Sequence, residues 1–251
     1  MAITIKNADQ ILKVREASKI VAEVHGLMKE AVKPGISTYE LDKMAEDLIR
    51  SRGAVPSFKG YYGYPASICA SINDQVIHGI PSKNTVLQEG DIISVDVGAY
   101  LNGYHGDGAR TYPVGEISED AKDLIEVTRN SFFEGIKFAK EGNHLHEISS
   151  NIQKYVESHG YSVVRDFVGH GIGESMHEDP QIPNYKVRGR GPKLQKGMTL
   201  AIEPMVNIGR HEVRVLSDNW TVITIDGSLS AHYEHTILIT EDSPELLTQI
   251  D

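Results

Sequence analysis

Hydrophobic residues recur with helical spacing in four stretches of the chain, and each stretch ends near a glycine. The second stretch begins at Ser37, which together with Glu40 three residues later has the form of a capping box. The spacing predicts helices over about 8–32, 37–52, 118–140 and 144–159. The chain is therefore expected to contain two pairs of consecutive helices.

Between the two helix pairs, hydrophobic and polar residues alternate from Ile92 to Tyr100 with the period of a half-buried strand. The dipeptide Asn102-Gly103 follows, and this is the strongest short signal for a two-residue hairpin loop. The residues from Tyr104 onward predict the returning strand. We therefore expect an antiparallel hairpin in the middle of the chain.

The register of this hairpin brings two aspartates together. With a two-residue loop, positions whose numbers sum to 205 face each other, so Asp107 lies opposite Gly98. Asp107 then shares a face with Asp96, diagonally across the strand pair, at about 7–8 Å between backbone positions. Two carboxylates this close on a buried sheet repel each other, so either one keeps its proton or a cation lies between them. A surface hairpin with two solvated aspartates is the alternative that this stretch leaves open.

Further segments carry candidate acid-base or ligand residues. TLAIEPMV predicts a strand ending at Glu203, and AHYEHTILIT predicts a strand centred on Glu234. VGHGIGESMHEDP is too rich in glycine for a helix and is predicted to be a loop that carries His170 and His177. The turn-rich segment NDQVIHGIPSK carries His78. Histidines in irregular segments serve function more often than packing, so these three are retained as candidates.

A constant offset of 107 residues links the first part of the chain to the second. The matching pairs are Gly35 and Gly142, Glu40 and Glu147, Gly53 and Gly160, Leu87 and Leu194, and Gly90 and Gly197. Asp96 and Glu203 stand six residues after the last pair and share the same offset. A repeat that spans a helix and a strand indicates two related halves, about 1–115 and 116–251, within a single domain. Halves packed face to face would bring Asp96 and Glu203 to opposite sides of one cleft.

The composition narrows the class of protein. A chain of 251 residues with 40% hydrophobic content is long enough for a sizeable core, and a formal net charge of −10 argues against a protein that mainly holds nucleic acid. The single cysteine, Cys69, excludes an internal disulfide framework and fits a reducing compartment. No apolar stretch has the length of a signal-peptide core at the N-terminus or of a membrane span. We expect a soluble, cytoplasmic protein.

Asp96, Asp107, Glu203, Glu234 and His170 form a candidate ligand set for metal ions. Four ionised carboxylates carry four negative charges, which two divalent cations would balance beside a neutral imidazole. Oxygen and imidazole ligands without thiolate suit Mn²⁺, Fe²⁺, Co²⁺ or Zn²⁺. Two such ions about 3.5–4 Å apart can activate a hydroxide and polarise a carbonyl, which is the chemistry of a hydrolase. The sequence contains no H-E-x-x-H motif, nucleophile elbow or P-loop.

The segments SINDQVIHGIP, SVDVGAYLNGYHGDGART, GHGIGESMHEDP, AIEPM and YEHT resemble, in order and spacing, the signature segments of type I methionine aminopeptidases. The resemblance covers essentially the whole chain. It implies the pita-bread fold, an α/β (α+β) arrangement of two pseudo-symmetric halves of antiparallel sheet and helix pairs around a dinuclear metal site. It also implies removal of the initiator methionine from nascent proteins whose second residue is small.

The resemblance further implies roles for individual residues. The metal ligands would be Asp96, Asp107, His170, Glu203 and Glu234. Asp107 and Glu234 would bridge two divalent ions, of Co²⁺, Mn²⁺, Fe²⁺ or Zn²⁺, and Glu203 would also carry the proton of the attacking water. The apolar pocket for the methionine side chain would be formed by Phe58, Tyr61, Tyr64, Cys69, Met176 and Trp220.

Two histidines would contact the substrate in the same scheme. His177 would stabilise the scissile carbonyl or the tetrahedral intermediate, and His78 would lie near the scissile amide and its leaving nitrogen. Met176 stands where relatives often have an aromatic residue, and Gly98 stands where some have a threonine. Neither difference removes a ligand.

Two alternatives are considered, one a related enzyme and the other a protein of another class. An X-Pro aminopeptidase or dipeptidase shares the five ligands, but it usually carries an additional N-terminal domain, for which the short lead before the first helix leaves no space. A non-catalytic pita-bread protein bound to ribosomes or chromatin would lack metal ligands, and all five are present. The expected partner is the N-terminal methionine of nascent polypeptides, with transient proximity to the ribosome, no membrane and no direct nucleic-acid function. A monomer is expected from the family.

Overall fold

The computed structural model describes residues 3–249. Its helices are α1 (Ala8–Ala31), α2 (Thr38–Ser51), α3 (Glu119–Ile136) and α4 (Leu145–Ser158). The strands before α3 are β1 (Val55–Pro56), β2 (Ile68–Ile72), β3 (Gln75–Ile77), β4 (Ile92–Leu101) and β5 (Tyr104–Pro113). The strands after α4 are β6 (Ser162–Val163), β7 (Gly169–Gly171), β8 (Glu178–Ile182), β9 (Thr199–Ile202), β10 (Met205–Asn207), β11 (Val213–Val215), β12 (Val222–Thr224), β13 (Ser230–His232), β14 (His235–Leu238) and β15 (Glu245–Leu246).

The predicted helices are confirmed, with ends set by local chemistry. The Ser37 side chain accepts a hydrogen bond from the Glu40 backbone N–H, and the Glu40 carboxylate accepts one from the Ser37 backbone N–H, so the capping box that begins α2 is complete. Helix α3 ends at Ile136, four residues before the predicted end, and a turn leads from there to α4.

The central hairpin has the predicted register. Asp107 of β5 pairs with Gly98 of β4, and the two strands pair antiparallel from Ile92 to Leu101. The loop residues Asn102 and Gly103 have φ angles of 53° and 87°, as a type I′ turn requires. Strand β4 also pairs with β1 and β2, so the hairpin lies inside a four-stranded antiparallel sheet.

A second large sheet has five strands in the order β15-β14-β9-β7-β8, and all of its pairings are antiparallel. Two smaller sheets have the orders β13-β10-β6 and β11-β12-β3. Helices α1 and α2 pack apolar residues such as Val24 and Leu41 against the hairpin sheet. Helices α3 and α4 pack residues such as Phe132 and Ile148 against the five-stranded sheet. Each large sheet is therefore covered by one helix pair, which buries the stripe that the sequence pattern predicts.

The offset of 107 residues recurs in the backbone. The N–H of Gly35 donates to the Leu87 carbonyl at 2.8 Å, and the N–H of Gly142 donates to the Leu194 carbonyl at 3.0 Å. Gly35 and Gly142 both have a φ of 90°, and the isolated bridge from Ser37 to Val86 recurs 107 residues later as the bridge from His144 to Lys193. The point near residue 115 at which one half ends and the other begins stays a prediction.

Two local predictions were wrong. His170 lies in strand β7, not in an irregular loop, and it pairs with Ala201 of β9. Glycine 169 permits this pairing, because a Cβ there would lie 2.4 Å from the Ala201 carbonyl oxygen. Glu234 lies between β13 and β14 instead of at the centre of one strand, and its N–H donates to Ala109 of β5 at 2.9 Å.

Among residues 3–249, no helix combines the length and the apolar character that crossing a membrane requires.

Candidate metal centre

One cavity of about 620 Å³, including its open mouth, brings the predicted site residues together. All of them line it, namely Phe58, Tyr61, Tyr64, Cys69, His78, Asp96, Asp107, His170, Met176, His177, Glu203, Trp220 and Glu234. Carboxylates and imidazoles form one side of this cavity and apolar rings form another. The arrangement joins a polar centre to a side-chain pocket.

Different elements supply the acidic groups. Asp96 and Asp107 lie on the two strands of the central hairpin, Glu203 directly follows β9, and Glu234 lies between β13 and β14. The start of β14 is fixed to the hairpin, because the Thr236 hydroxyl donates to the Asp107 carbonyl at 2.8 Å and accepts from the Asp107 N–H at 3.0 Å. The two sheets therefore meet at the carboxylates.

His170 is oriented toward these carboxylates. Its Nε2 lies 3.7 Å from Oδ2 of Asp107 and 3.6 Å from Oε1 of Glu203, and its Nδ1 lies 2.9 Å from the Gly171 carbonyl oxygen. Burial, with a smaller effect of His177, lowers the pKa of His170 to about 3, so the ring is neutral at pH 7. A neutral ring that donates from Nδ1 to a carbonyl presents a lone pair at Nε2, as a metal-ligating histidine does.

Burial raises the pKa of every carboxyl group in the cluster. It raises the pKa of Asp96 to about 7. The pKa of Asp107 is raised well above its ordinary value by burial and then by repulsion from Glu234, and that of Glu203 by burial and then by Asp107. Burial and then Glu203 raise the pKa of Glu234. With no cation bound, the cluster would therefore retain protons at neutral pH, whereas cations would allow all four groups to ionise.

The donor set fits divalent metal. Ligand atoms of Asp107, His170 and Glu234 lie within 4.8 Å of one another, and all three residues are buried. Oδ1 of Asp96, Oδ1 of Asp107 and Oε1 of Glu234 are buried without a hydrogen-bond partner in the described part of the chain. Buried carboxylate oxygens without a donor are costly, and a coordinated cation removes that cost.

His78 and His177 lie beside this centre. His78 is half-buried at a φ of 59°, which is strained for a non-glycine residue, and its ring lies edge-on to Phe167 and Trp220. Burial lowers the pKa of His78 to about 4. The ring of His177 lies 4.2 Å from that of His170 between centroids, and burial lowers its pKa. Both histidines are therefore neutral hydrogen-bonding groups at pH 7.

Apolar residues wall the rest of the cavity. The Tyr64 hydroxyl oxygen lies 3.1 Å from the Ile68 carbonyl oxygen and 2.9 Å from that of Gly79, so its one proton is shared between these two acceptors, and its ring lies edge-on to Trp220. Burial raises the pKa of the Cys69 thiol, so this residue serves as an apolar wall. Gly98 lets Phe58 reach the same wall, because a Cβ there would lie 2.8 Å from the Phe58 ring.

Two features near the site were not predicted. Tyr62 lines the mouth of the cavity with 86% of its surface exposed and a φ of 46°. Its position between Gly60 and Gly63 was the only signal in the sequence.

The second feature is an ion pair. The Lys6 ammonium pairs with the carboxylate of Glu178, the residue after His177, at 2.6 Å. Because 172 positions separate the two partners, no local pattern could have indicated this pair.

Comparisons with known proteins agree with this geometry. The model of metallopeptidase family M24 matches residues 13–241. The chain is 61% identical over 246 residues to a methionine aminopeptidase of Clostridium acetobutylicum, covering 98% of each protein. A crystal structure of methionine aminopeptidase from Thermotoga maritima superposes with a TM-score of 0.97 at 47% identity, over 99% of this chain and all of that one. The prolidase from Pyrococcus furiosus superposes with a TM-score of 0.78 at 25% identity, and this chain covers 66% of it.

Proposed function

This chain belongs to metallopeptidase family M24 and, within it, to the methionine aminopeptidases, and from that premise we propose that it removes the N-terminal methionine from nascent polypeptides whose second residue is small. The observation that carries the proposal is the single cavity in which five candidate metal ligands adjoin an apolar pocket. The pocket suits the unbranched thioether side chain of methionine, because aromatic rings and a buried thiol form its walls.

We propose that Asp96, Asp107, His170, Glu203 and Glu234 hold two divalent cations. The number two is supported by the balance of four carboxylates against four positive charges, and the oxygen and imidazole donors suit Mn²⁺, Fe²⁺, Co²⁺ or Zn²⁺. When bound, such ions polarise a carbonyl and lower the pKa of water.

The remaining steps belong to side chains. Glu203, half-buried directly after β9, accepts the proton of the attacking water and delivers it to the leaving amine. His177 donates a hydrogen bond to the carbonyl oxygen as negative charge develops there. His78 donates or accepts at the scissile amide from its strained position on the cavity wall. The buried walls exclude bulk water from the methionine side chain.

The proposed substrate also suggests where the protein acts and with which partner. We propose that the protein acts in the cytoplasm, as a monomer, on chains that emerge from the ribosome. A net charge of −10 supports a role without direct nucleic-acid binding.

A substrate comparison tests the proposal. The protein loaded with Mn²⁺ is expected to cleave Met-Ala-Ser at least about 100-fold faster, in kcat/KM, than Ala-Pro-Ala, because one buried side-chain pocket selects the first residue. Faster cleavage of Ala-Pro-Ala would instead favour a proline-specific peptidase. The prolidase alternative is not favoured, since identity to that structure is 25% against 61% to a methionine aminopeptidase.

A metal titration tests the ligand set separately from catalysis. Calorimetry with Mn²⁺ is expected to give two ions per chain for the natural protein and weaker binding for Asp107→Asn, which removes a buried anionic oxygen from the cluster. Undiminished binding of two ions by Asp107→Asn, with normal kcat, would refute the assignment. Binding of no ion by the natural protein would favour a non-catalytic protein of the same fold.

A further inference from the structure

Tyr61 contacts the ring of His177 on the wall of the cavity. Its hydroxyl oxygen lies 2.8 Å from Nδ1 of His177, and the two rings stack at 5.4 Å between centroids with planes 27° apart. The ring of Tyr62 lies edge-on to Tyr61 at 4.7 Å. Tyr61 is thus held by its neighbours while it contacts the imidazole both through its face and through its hydroxyl.

The hydrogen bond to Nδ1 constrains what the other ring nitrogen can do. A neutral imidazole carries one proton, so one nitrogen is a donor and the other an acceptor. If the Tyr61 hydroxyl donates to Nδ1, the proton of His177 must lie on Nε2. That nitrogen hydrogen bonds to no side chain within residues 3–249, and the residue lines the cavity.

The chemistry of the two groups favours this direction of the hydrogen bond. A phenolic O–H is a stronger hydrogen-bond donor than the N–H of a neutral imidazole, and an unprotonated imidazole nitrogen is a stronger acceptor than a phenolic oxygen. Burial raises the pKa of the Tyr61 hydroxyl, so this group keeps the proton that it donates. An N–H at Nε2 is also the group that a developing oxyanion requires.

We propose that Tyr61 is a positioning residue that fixes His177 in the Nε2–H tautomer and aligns its ring, in addition to forming a wall of the methionine pocket. The inference rests on the proposed function in one respect, because His177 must act as a donor to the substrate carbonyl. Its structural content, the tautomer, can be measured without any substrate.

The variant Tyr61→Phe isolates the hydroxyl, since it keeps the ring that stacks on His177. In Zn²⁺-loaded protein, which is diamagnetic, ¹⁵N spectra of labelled histidines are expected to show His177 as a single Nε2–H tautomer at pH 8. In Tyr61→Phe the same resonances are expected to shift toward a mixture of tautomers. The resonances of His177 are assigned by their absence from a His177→Gln sample.

Kinetics gives the second measurement. Loss of one oriented hydrogen bond is expected to lower kcat for Met-Ala-Ser about fivefold with KM changed less than about twofold, because the apolar wall remains. Tyr161→Phe is the matched control, because it removes an exposed hydroxyl that lies 2.5 Å from Asp123 of α3 and does not line the cavity. It is expected to leave kcat and the His177 spectrum unchanged.

Two results would overturn the inference. One is an Nδ1–H tautomer for His177 in the natural protein. The other is a Tyr61→Phe variant with the unchanged single tautomer and unchanged kcat. A natural protein that shows the Nε2–H tautomer, lost in Tyr61→Phe, but cleaves no methionyl peptide would contradict the proposed function and leave the role of Tyr61 supported.

Discussion

The two parts of the chain related by the offset of 107 residues have similar backbone conformations but contribute different side chains to the candidate site. Helices α2 and α4 each span 14 residues, and the glycines that end the turns before β4 and β9 have nearly the same φ, 92° at Gly90 and 93° at Gly197. The side chains that follow differ. The first part supplies Asp96 and Asp107 from one long hairpin, whereas the second supplies Glu203 from the end of a four-residue strand.

The difference separates the features that specify the fold of each part from the features that specify the candidate site. Glycines at positive φ, helix starts and short backbone bridges recur because they define how a helix pair joins a sheet. The matched acidic position keeps its carboxylate but changes its residue type: Asp96 lies in the middle of β4, and the longer Glu203 follows β9. The histidines that adjoin the acidic cluster have no such counterparts: 107 positions before His170 and His177 stand Gly63 and Ala70.

The sharpest test compares the two acidic residues at matched positions. Glu203→Ala is expected to lower kcat by about 10³-fold or more at any metal concentration, because it removes a candidate ligand and the proton carrier together. Asp96→Ala removes a candidate ligand alone, so part of its lost activity is expected to return at high Mn²⁺. The measurement is kcat for Met-Ala-Ser across a Mn²⁺ titration. Full recovery of Glu203→Ala by added metal would make the two positions equivalent and remove the proton role.

The sequence predicted those features of the fold and site that depend on local rules. The Asn102-Gly103 turn fixed the hairpin register, and so the pairing of Asp107 with Gly98 followed by counting. The strand that contains His170 was missed because its glycines are unfavourable for a strand in isolation. The close approach of the Ala201 carbonyl to Gly169 and of the Asp179 carbonyl to Gly171 explains them. Ion pairs between residues far apart in sequence, such as Lys6 and Glu178, leave no periodic signal, because only the tertiary fold brings the two side chains together.

The segment before α1 is a second place where the two parts differ. Lys6 of the first part crosses to the second, where its N–H donates to the Gly197 carbonyl at 2.9 Å and its side chain, 2% exposed, pairs with Glu178. Lys6→Met would leave the Glu178 carboxylate, 13% exposed, without a cation. We expect it to lower the free energy of unfolding by about 3 kcal/mol, measured by urea denaturation.

A double variant controls for this result. Lys6→Met combined with Glu178→Gln removes both charges, and most of the lost stability is expected to return because no unpaired charge remains. Equal destabilisation by the single and the double variants would mean that the pair contributes packing and not charge compensation.

A buried histidine in α1 makes stability depend on pH in the first part of the chain. His25 lies 2.7 Å from the Gly108 carbonyl and 2.8 Å from the Tyr112 hydroxyl, whereas the residue 107 positions later is Phe132. Burial, and then Arg110, lowers the pKa of His25 from 6.5 to about 3. The unfolded chain therefore takes up a proton first. The contribution of His25 to stability is constant above pH 6.5 and falls as pH drops from there toward 3.

The variant His25→Gln tests this dependence. It is expected to reduce the slope of unfolding free energy between pH 6 and pH 4 by up to about 1.4 kcal/mol per pH unit, the equivalent of one proton. Urea denaturation at intervals of half a pH unit gives the slope, and His159→Gln at the exposed end of α4 is the control. An unchanged slope in His25→Gln would show that this ring is protonated equally in the folded and unfolded chains.

The smallest expected effects on stability come from the starts of α2 and α4, two helices of equal length whose N-cap residues differ. Ser37 caps α2 through its side chain, whereas His144 makes no side-chain cap to α4 although Glu147 stands three residues on, where Glu40 stands in α2. Ser37→Ala is expected to cost about 1 kcal/mol of unfolding free energy. His144→Ser would create the missing capping box but lose the contact of Nδ1 with the Gly191 carbonyl at 3.1 Å, so its gain is expected to be about 0.5 kcal/mol. Destabilisation by His144→Ser would show that the contact with Gly191 stabilises this turn more than a cap does, and that the second part of the chain has exchanged one means of starting its helix for another.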